Sequence, residues 1–502
     1  MRTHEHGTPQ GRPLHADKVR LPIKLSYGFG QFAEGAKNAA FGTFVLLYYN
    51  QVLGLSGTLA GLAIFIALCF DAVTDPVVGS VSDNFRSRWG RRHPFLYVAA
   101  IPMAFAFYFL FAPPEGLSTM ALFAWMTVFT VLVRGTMTIY YVPHLALGAE
   151  LSDHYIERTS IVAYRWVFSI VGNLAAVVSA FAIFLVDIDE QPGDLVAANY
   201  PPFALALAVG MAISIFVTAA GTHSQIPNLP ATRFVERPGL DAILVGVFKD
   251  TWEALRNASF RWLAGAALSS QVMVGLQAAL QLYMANFFWE LDDQAKMLIL
   301  MATPVGFFAG IAITRRIHER FDKRRTMLVG ATLYYAFAVG PIVLRLLEWF
   351  PANDSALLTP MLVAFGVLSG AGGLAVVSSN SMMADVADEH ELETGRRQEG
   401  IFFGALSFAS KGAAGLGTLI GGLALDVIQF PIGAAPGGVD AATVFNLGAV
   451  YGPMLGVFVV FTVYCLMHYR LTEGRHAEIM AALAARALAA RPAESATGVQ
   501  SS

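Results

Sequence analysis

The chain has 502 residues, of which 56% are hydrophobic and 14% are charged, and its formal net charge is −3. A soluble protein carries about 25% charged residues, which keep its surface solvated, so a soluble multidomain enzyme is excluded. Cys69 and Cys465 are its two cysteines and both lie in apolar runs, which excludes a disulfide scaffold. The class that remains is a polytopic α-helical membrane protein.

Twelve apolar runs are each long enough to cross a bilayer as a helix, which takes about 20 residues. The backbone must satisfy its own hydrogen bonds in lipid, and the alternation of a β-barrel is absent, so we predict helices throughout. The runs lie near 25–53, 57–82, 94–112, 119–147, 159–186, 200–220, 259–289, 296–314, 326–350, 357–380, 400–428 and 444–468.

In the connections between these runs, lysine and arginine occur only in every second one. Arg91 and Arg92 follow the second run and Arg324 and Arg325 follow the eighth, whereas the intervening connections carry no basic residue. By the positive-inside rule, we expect the basic connections and both termini to be cytoplasmic, in a plasma membrane of the bacterial inner-membrane type. The first twenty residues lack an apolar core, so we predict no cleaved signal peptide.

The chain divides into five predicted parts. The longest basic connection combines prolines with an amphipathic stretch, which predicts a linker helix lying under the bilayer. We assign no chemistry to the tail. The parts are a polar cytoplasmic N-terminus (1–24), a first six-helix bundle (25–220), the cytoplasmic linker (221–258), a second six-helix bundle (259–470) and a cytoplasmic tail (471–502).

Two unrelated motifs recur at nearly the same spacing. Arg324 of the second arginine pair lies 233 residues after Arg91, and the Ala-Asp-Val-Ala-Asp motif at Ala384 lies 235 residues after the Ala-Glu-Leu-Ser-Asp motif at Ala149. This agreement predicts two homologous six-helix halves. Parallel repeats of this kind place a binding site near the middle of the membrane, between the halves.

Several motifs occur together in one order along both halves. They are Lys24 to Gly30, Asp71 to Pro76, Asp83 to Arg92, Pro143 to Glu150, Arg158 with Arg165, and Ala384 to Lys411. These motifs resemble those of the glycoside–pentoside–hexuronide:cation symporter family, the melibiose permease-like branch of the major facilitator superfamily. The resemblance implies an all-α membrane protein with twelve transmembrane helices in two six-helix pseudo-repeats. It also implies secondary active symport of a solute by alternating access.

A few charged residues lie inside the apolar runs, where inserting each costs at least about 2.5–3.5 kcal/mol. Asp71 and Asp75 are one helical turn apart, so their carboxylates repel each other, and we expect one to be protonated or both to be neutralised by cations. A purely structural ion pair is the alternative, as is a mutual pair for Glu34 and Lys37. The charged residues that predict a polar cavity at mid-membrane are Glu34, Lys37, Asp71, Asp75, Arg134, Arg165 and Lys411.

The resemblance implies that Asp71, Asp75 and Thr138 hold the coupling cation, with the two aspartates as metal ligands if that cation is Na⁺ and not H⁺. Oxygen ligands suit Na⁺, whereas a proton needs only one carboxylate. It also implies that Arg165 and Lys411 serve the sugar and cation sites. The candidate solute-binding residues are Glu34, Tyr141, Arg165, Lys411 and Ser407.

The solute side departs from the family pattern. Gly35 and Tyr141 stand where the family has acidic residues that bind sugar hydroxyls, and Leu145 and Val376 stand where it has indoles. A galactoside is therefore not implied. The expected substrate is a sugar, a glycoside or a related small organic solute.

A further set of charged residues is interpreted as coupling and gating machinery. Arginines of the basic connections would bond to helix ends and loop acids in the outward-open state and release them in the inward-open state. Neutralising Asp83 should then impair transport but not substrate binding. The candidates are Lys37, Arg134, Asp83, Arg91, Arg92, Glu150 and Asp385.

Two alternatives use the same fold: a carrier of amphiphiles such as lysolipids, and a cation-coupled antiporter for efflux. A membrane enzyme is disfavoured because no HExxH, GxSxG, P-loop or CxxC pattern is present. We therefore expect no cofactor beyond the coupling ion. The expected partners are a small-molecule substrate, a monovalent cation and membrane lipid, without nucleic acid, around a monomeric chain.

Overall fold

The computed structural model describes residues 18–188, 191–229, 240–396 and 398–489. Within these residues the chain is helical, apart from loops and one isolated β-bridge between Ile188 and Gln191. Eleven helices of the described residues are long and apolar enough to cross a membrane. The prediction of an all-helical membrane protein is confirmed.

We number the spanning helices 1 to 12 in chain order. Helix 1, the first predicted span, is built from consecutive shorter segments: Leu21–Phe29, Gln31–Thr43, Val45–Leu47 and the π-helical turn Tyr48–Val52. The rest of the first half comprises helix 2 (Gly57–Asn84), helix 3 (His93–Leu110), helix 4 (Thr119–Glu150), helix 5 (Tyr155–Ser179) and helix 6 (Tyr200–Thr222).

The second half has the same number of spans, and two of them are interrupted by a 3₁₀ turn. It comprises helix 7 (Ala258–Tyr283), helix 8 (Asp293–His318), helix 9 (Lys323–Leu346), helix 10 (Leu358–Gly370 and Leu374–Thr394), helix 11 (Glu399–Val427) and helix 12 (Ala441–Tyr451 and Gly456–His468).

Two helices lie outside the spans. The linker helix (Leu240–Arg256) falls within the predicted linker, and the C-terminal helix (Glu473–Ala489) falls within the predicted tail. The C-terminal helix packs against helix 10, since Ile479 is buried and the His476 ring nitrogen lies 3.1 Å from a carboxylate oxygen of Asp388. Residues 1–17 of the N-terminus, 230–239 of the linker, 490–502 of the tail, 189–190 and Arg397 lie outside the described residues.

Side-chain caps define several helix starts. Ser56 and Ser118 accept hydrogen bonds from the backbone N–H groups of Leu59 and Ala121, and so cap helices 2 and 4. Asn257 caps helix 7 by accepting from the Phe260 N–H at 2.8 Å. Short polar side chains favour these positions because they satisfy N–H groups that have no partner within the helix.

The two halves meet most closely where helix 2 crosses helix 11. A Cβ atom added at Gly57 would lie 2.3 Å from the Gly422 carbonyl oxygen, and one added at Gly422 would lie 2.0 Å from the Gly57 carbonyl oxygen. Gly61 similarly faces the backbone of Leu419. Small residues allow this approach, as is common where helices pack in a membrane.

The two ends of the bundle differ in how the halves meet. We call the end that carries Arg91 and Arg92 the arginine-rich end. At the opposite end, Asp426 accepts hydrogen bonds from the N–H groups of Gly57 and Thr58 at 2.9 and 2.7 Å. At the same end, the Tyr283 hydroxyl donates to the Asn50 side chain at 2.7 Å. These bonds between the halves close the opposite end.

Candidate cation and solute site

Asp71 and Asp75 lie on one face of helix 2, about halfway along it. Asp71 is buried, with 7% of its surface exposed, and the side chain of Asp75 is 28% exposed. The i, i+4 spacing brings the two carboxylates together, as the sequence predicts. Pro76 follows directly inside the same helix.

Helix 4 contributes a hydroxyl that joins the two carboxylates. The Thr138 Oγ1 donor lies 2.6 Å from Asp71 Oδ1 and 3.1 Å from Asp75 Oδ1. Three hard oxygen atoms therefore converge from two helices. This donor set fits the Na⁺ or H⁺ predicted to bind here, since hard monovalent cations prefer oxygen ligands.

Helix 11 supplies the counter-charge from the other half of the protein. The Lys411 ammonium lies 2.9 Å from Asp71 Oδ2 and 2.5 Å from Asp75 Oδ2. Arg134 of helix 4 approaches Asp71 Oδ2 at 3.3 Å, and its guanidinium also lies over the Phe41 ring. Two carboxylates and two cations thus balance, which offsets part of the cost of placing charge in the membrane.

A second polar group lies on helix 1. Lys37 and Glu34 form an ion pair of 2.9 Å, and the Asn38 amide donates to Glu34 at 3.0 Å. Tyr141 of helix 4 lies beside Glu34. The mutual pairing of Glu34 and Lys37, weighed as an alternative above, is therefore present in this conformation.

The remaining candidate solute residues lie in two different places. Arg165 of helix 5 lies beside the hydroxyl groups of Tyr27 and Tyr141, so it belongs to the helix 1 group. Ser407 is exposed and lines a cavity of about 280 Å³ together with Asp75 and Lys411. The linker helix closes one side of that cavity through Asp250.

The helix packing explains why the family's acidic residue is absent at position 35. A Cβ atom on Gly35 would lie 1.9 Å from the Ser169 carbonyl oxygen of helix 5. Any side chain there would force helices 1 and 5 apart. Position 35 is therefore a packing position in this chain and not a solute contact.

The charged residues of the arginine-rich end pair within each half. Arg91 and Arg92 both bond to Glu150 at 2.8 Å, and Arg92 also bonds to Asp83. In the second half, Lys323 holds Asp385 at 2.8 Å. Each of these bonds joins two residues of the same half, and the bonds are present while the opposite end is closed. We call the two bonded groups the clamps of the arginine-rich end.

Sequence reasoning missed an ion pair at the opposite end. Lys296 of helix 8 bonds to Asp194 of the connection between helices 5 and 6 at 2.9 Å, and the two side chains are 1% and 0% exposed. The Asn286 amide also donates to Asp194, at 2.6 Å. A lysine at the edge of an apolar run was the available signal. Its partner was hidden because it comes from the other half.

These features define a polytopic membrane transporter whose two halves meet at an ion-paired site. The chain belongs to the MFS/sugar transport protein family, whose profile matches residues 26–473. The predicted membership of the major facilitator superfamily and its glycoside symporter branch is confirmed. Members of that family are transporters, which also confirms that the chain is not an enzyme.

Relatives of similar length match nearly the whole chain. An uncharacterised symporter of Synechocystis is 24% identical and aligns with 94% of this chain and 98% of its own. The isoprimeverose transporter of Lactiplantibacillus pentosus is 24% identical over 88% of both chains. A glycoside/cation symporter of Escherichia coli, YagG, described as putative, is 24% identical over 91% of this chain and 94% of its own.

Solved structures share the architecture at low sequence identity. A point mutant of the nucleoside transporter NupG superposes with a TM-score of 0.57 at 15% identity, over 90% of this chain and 99% of its own. A proton-dependent oligopeptide transporter superposes with a TM-score of 0.56 at 11% identity, over 91% and 98%. These likenesses confirm the major facilitator fold of an integral membrane protein.

Proposed function

We propose that this protein is a secondary active symporter that couples Na⁺ or H⁺ to the transport of a sugar, a glycoside or a related small organic solute. The observation that carries the proposal is the bond of Lys411, in the second half, to both Asp71 and Asp75, in the first. The names of two relatives, an isoprimeverose transporter and a glycoside/cation symporter, support the same conclusion.

The coupling ion and Lys411 compete for the same carboxylates. With Lys411 and Arg134 in place the cluster is neutral, so one more cation would leave an uncompensated charge in the membrane. An entering Na⁺ or H⁺ therefore takes the place of the ammonium. Release of Lys411 removes a bond between helices 2 and 11, which are among the helices that join the two halves at the closed end.

This competition links the ion to the movement of the halves. The protein changes conformation only when the cation site and the solute site are both filled or both empty, and the carboxylates are neutralised by the ion in the first case and by Lys411 in the second. By linkage, the ion and the solute then strengthen each other's binding. We place the arginine-rich end in the cytoplasm, by the positive-inside rule, so the described conformation is closed toward the outside.

The clamps at the arginine-rich end keep each half rigid during this movement. Arg92 is 4% exposed and bonds to Ser82, Asp83 and Glu150, so it ties the end of helix 2 to the end of helix 4. Lys323 and Asp385 tie helix 9 to helix 10 in the same way. Each half can then rotate as one body.

Uptake into proteoliposomes tests the proposal. The purified protein is assayed with a panel of radiolabelled sugars and lysophosphatidylcholine under an imposed Na⁺ or pH gradient. We expect one gradient to drive accumulation of a sugar, and Asp71→Asn and Asp75→Asn each to reduce it at least tenfold. Asp354→Asn, on an exposed loop, is the matched control and should leave uptake unchanged.

Three outcomes would contradict symport of a sugar. Uptake that is independent of both gradients and insensitive to both substitutions would show that transport is not coupled to a cation at Asp71 and Asp75. Uptake of lysophosphatidylcholine in preference to every sugar would instead identify a carrier of amphiphiles. Apparent solute affinity that falls as the driving cation rises would identify an antiporter.

A further inference from the structure

A second cavity lies between the halves, toward the closed end. Its volume is about 390 Å³, and helices 1, 5, 7, 8, 9, 10 and 12 contribute to its walls. Gln281 of helix 7 donates to the Gly42 carbonyl and to the Thr43 hydroxyl at 3.2 and 3.0 Å, which joins the halves beside this cavity. None of the solute residues implied by the family resemblance lines it.

The wall of this cavity offers neutral hydrogen-bonding groups. Tyr334 donates to the Gln277 amide oxygen at 2.7 Å, which orients the Gln277 NH₂ group. Among the described residues, that NH₂ group and the side chains of Asn173 and Thr303 have no hydrogen-bond partner within the protein. An amide offers two donors and a carbonyl oxygen, and a hydroxyl both donates and accepts, which is the complement of a sugar hydroxyl.

Much of the rest of the wall is aliphatic or aromatic, and it offers no available charge. Trp289, Phe337 and Phe365 present apolar ring surface to the cavity. Among the described residues that line the cavity, only Lys296 has a cationic side chain, and its ammonium is held by Asp194 at 2.9 Å and Asp293 at 3.2 Å. A ligand that carries a charge would therefore find no free counter-ion, and burying an unpaired charge is strongly unfavourable.

The volume of the cavity also favours a small ligand. Pockets for small ligands have volumes of about 300–1,000 Å³, so this cavity lies near the lower limit. One or two sugar rings would fit. A lipid with a long acyl chain would not be enclosed.

We propose that the transported solute binds in this cavity and is an uncharged polyhydroxylated molecule of one or two sugar rings. Gln277, Asn173 and Thr303 are its hydrogen-bonding residues, and the aromatic rings contact its C–H faces. This inference rests on the proposed function, because it names the solute and the site of the same transport cycle. It assigns solute recognition chiefly to helices 5, 7 and 8, in place of Arg165 of helix 5 and Lys411 of helix 11, which the resemblance implies.

The test separates solute recognition from the transport step. Uptake kinetics are measured in proteoliposomes with a neutral pentose, a neutral hexose, a pentose–hexose disaccharide, glucuronate and lysophosphatidylcholine. Gln277→Leu and Asn173→Leu keep most of the side-chain volume and remove the hydrogen bonds. Each should raise KM for the neutral sugar roughly tenfold and leave kcat within about twofold, because a bond made equally to ground and transition states affects KM alone.

Gln271→Leu is the matched control, since this residue lies on the same helix and outside the cavity wall. Its KM should stay within about twofold of the wild type. Each variant is first shown to elute as the wild type does and to bind the coupling cation with the same affinity. A raised KM in a folded variant then shows that the solute binds in the cavity.

The outcomes distinguish this inference from the proposed function. Gradient-driven uptake of a neutral sugar with KM unchanged in both Gln277→Leu and Asn173→Leu would overturn the cavity assignment and leave symport intact. Preference for glucuronate over every neutral sugar would overturn the uncharged solute class. Absence of gradient-driven uptake for the whole panel would contradict the proposed function itself.

Discussion

Replacing Lys411 by glutamine should tighten binding of the coupling cation and abolish net uptake. The Lys411 ammonium contacts one oxygen of each carboxylate, at 2.9 and 2.5 Å, so those two oxygens lie no further apart than the sum of these distances, about 5.4 Å. Lys411→Gln removes the charge that balances this pair. The two carboxylates then repel each other unless another cation takes the same place.

The size of the effect follows from the geometry. Two unit charges 5.4 Å apart interact by about 3 kcal/mol at an effective dielectric constant of about 20. An energy of about 3 kcal/mol corresponds to roughly a hundredfold change in the dissociation constant. Because the Lys411 side chain is 27% exposed, solvent screens part of this interaction, and we expect a tightening of roughly tenfold to a hundredfold.

The assay is direct binding of ²²Na⁺ to the purified protein, with proton uptake on solute binding measured in parallel in case H⁺ is the coupling ion. Lys411→Arg keeps the charge and should stay within a few fold of the wild type. In proteoliposomes, Lys411→Gln should retain solute exchange when cation is present on both sides. It should lose net uptake, because the unloaded carrier cannot neutralise its carboxylates and return.

Unchanged or weaker cation binding in folded Lys411→Gln would refute the competition between the ion and the lysine. Loss of exchange together with net uptake would also contradict it. In that case Lys411 would be needed in the loaded state, and the bond to Asp71 and Asp75 would be a structural ion pair.

Three further predictions concern the contacts around this site. Gly422→Ala should reduce uptake at least tenfold, because its Cβ would collide with the Gly57 carbonyl oxygen and keep the closed end from forming. Asp194→Asn breaks a buried ion pair, a change that costs about 3–5 kcal/mol, and should raise the rate of maleimide labelling of Thr43→Cys in a cysteine-free background several-fold. Asp83→Asn should slow transport several-fold and leave equilibrium solute binding unchanged, since Asp83 bonds to Arg92 of the clamp at the arginine-rich end.

Each of these predictions has a clear contrary result. Gly412→Ala is the control on helix 11, where no described atom lies within 4 Å of an added Cβ, and equal loss of uptake in both glycine variants would contradict the helix-contact argument. A labelling rate that Asp194→Asn does not change would show that the ion pair does not hold the closed end. Wild-type transport by Asp83→Asn would show that the clamp does not contribute to transport.

The structure divides the proposed cycle between the two ends of the bundle. Bonds at the closed end join the halves to each other, as Asp426 does with helix 2. Bonds at the arginine-rich end, such as Arg92 to Glu150, lie within one half. The first set has to break when the halves rotate, whereas the second set can persist. This assignment differs from the latch expected from the sequence, in which the arginines release their partners during the cycle.

The amino-acid sequence by itself determined the class, the spans and the charged residues of the site. Apolar runs of about 20 residues are local features, and a charge inside such a run stands out without knowledge of its neighbours. The pairing of Asp71 with Asp75 is also local, because residues four apart share a helix face. The two-fold repeat was visible in the spacing of short motifs.

Only the tertiary structure decided which charges meet. Lys411 is 336 residues from Asp75 along the chain, and Asp194 is 102 residues from Lys296, so their pairing depends on how the helices of the two halves cross. The same holds for Gly35, whose place against helix 5 makes a packing contact of the position where the family has a solute-binding acid. The cavity around Gln277 is assembled from seven helices and has no motif of its own, because its hydrogen-bonding residues are ordinary neutral side chains until the others surround them.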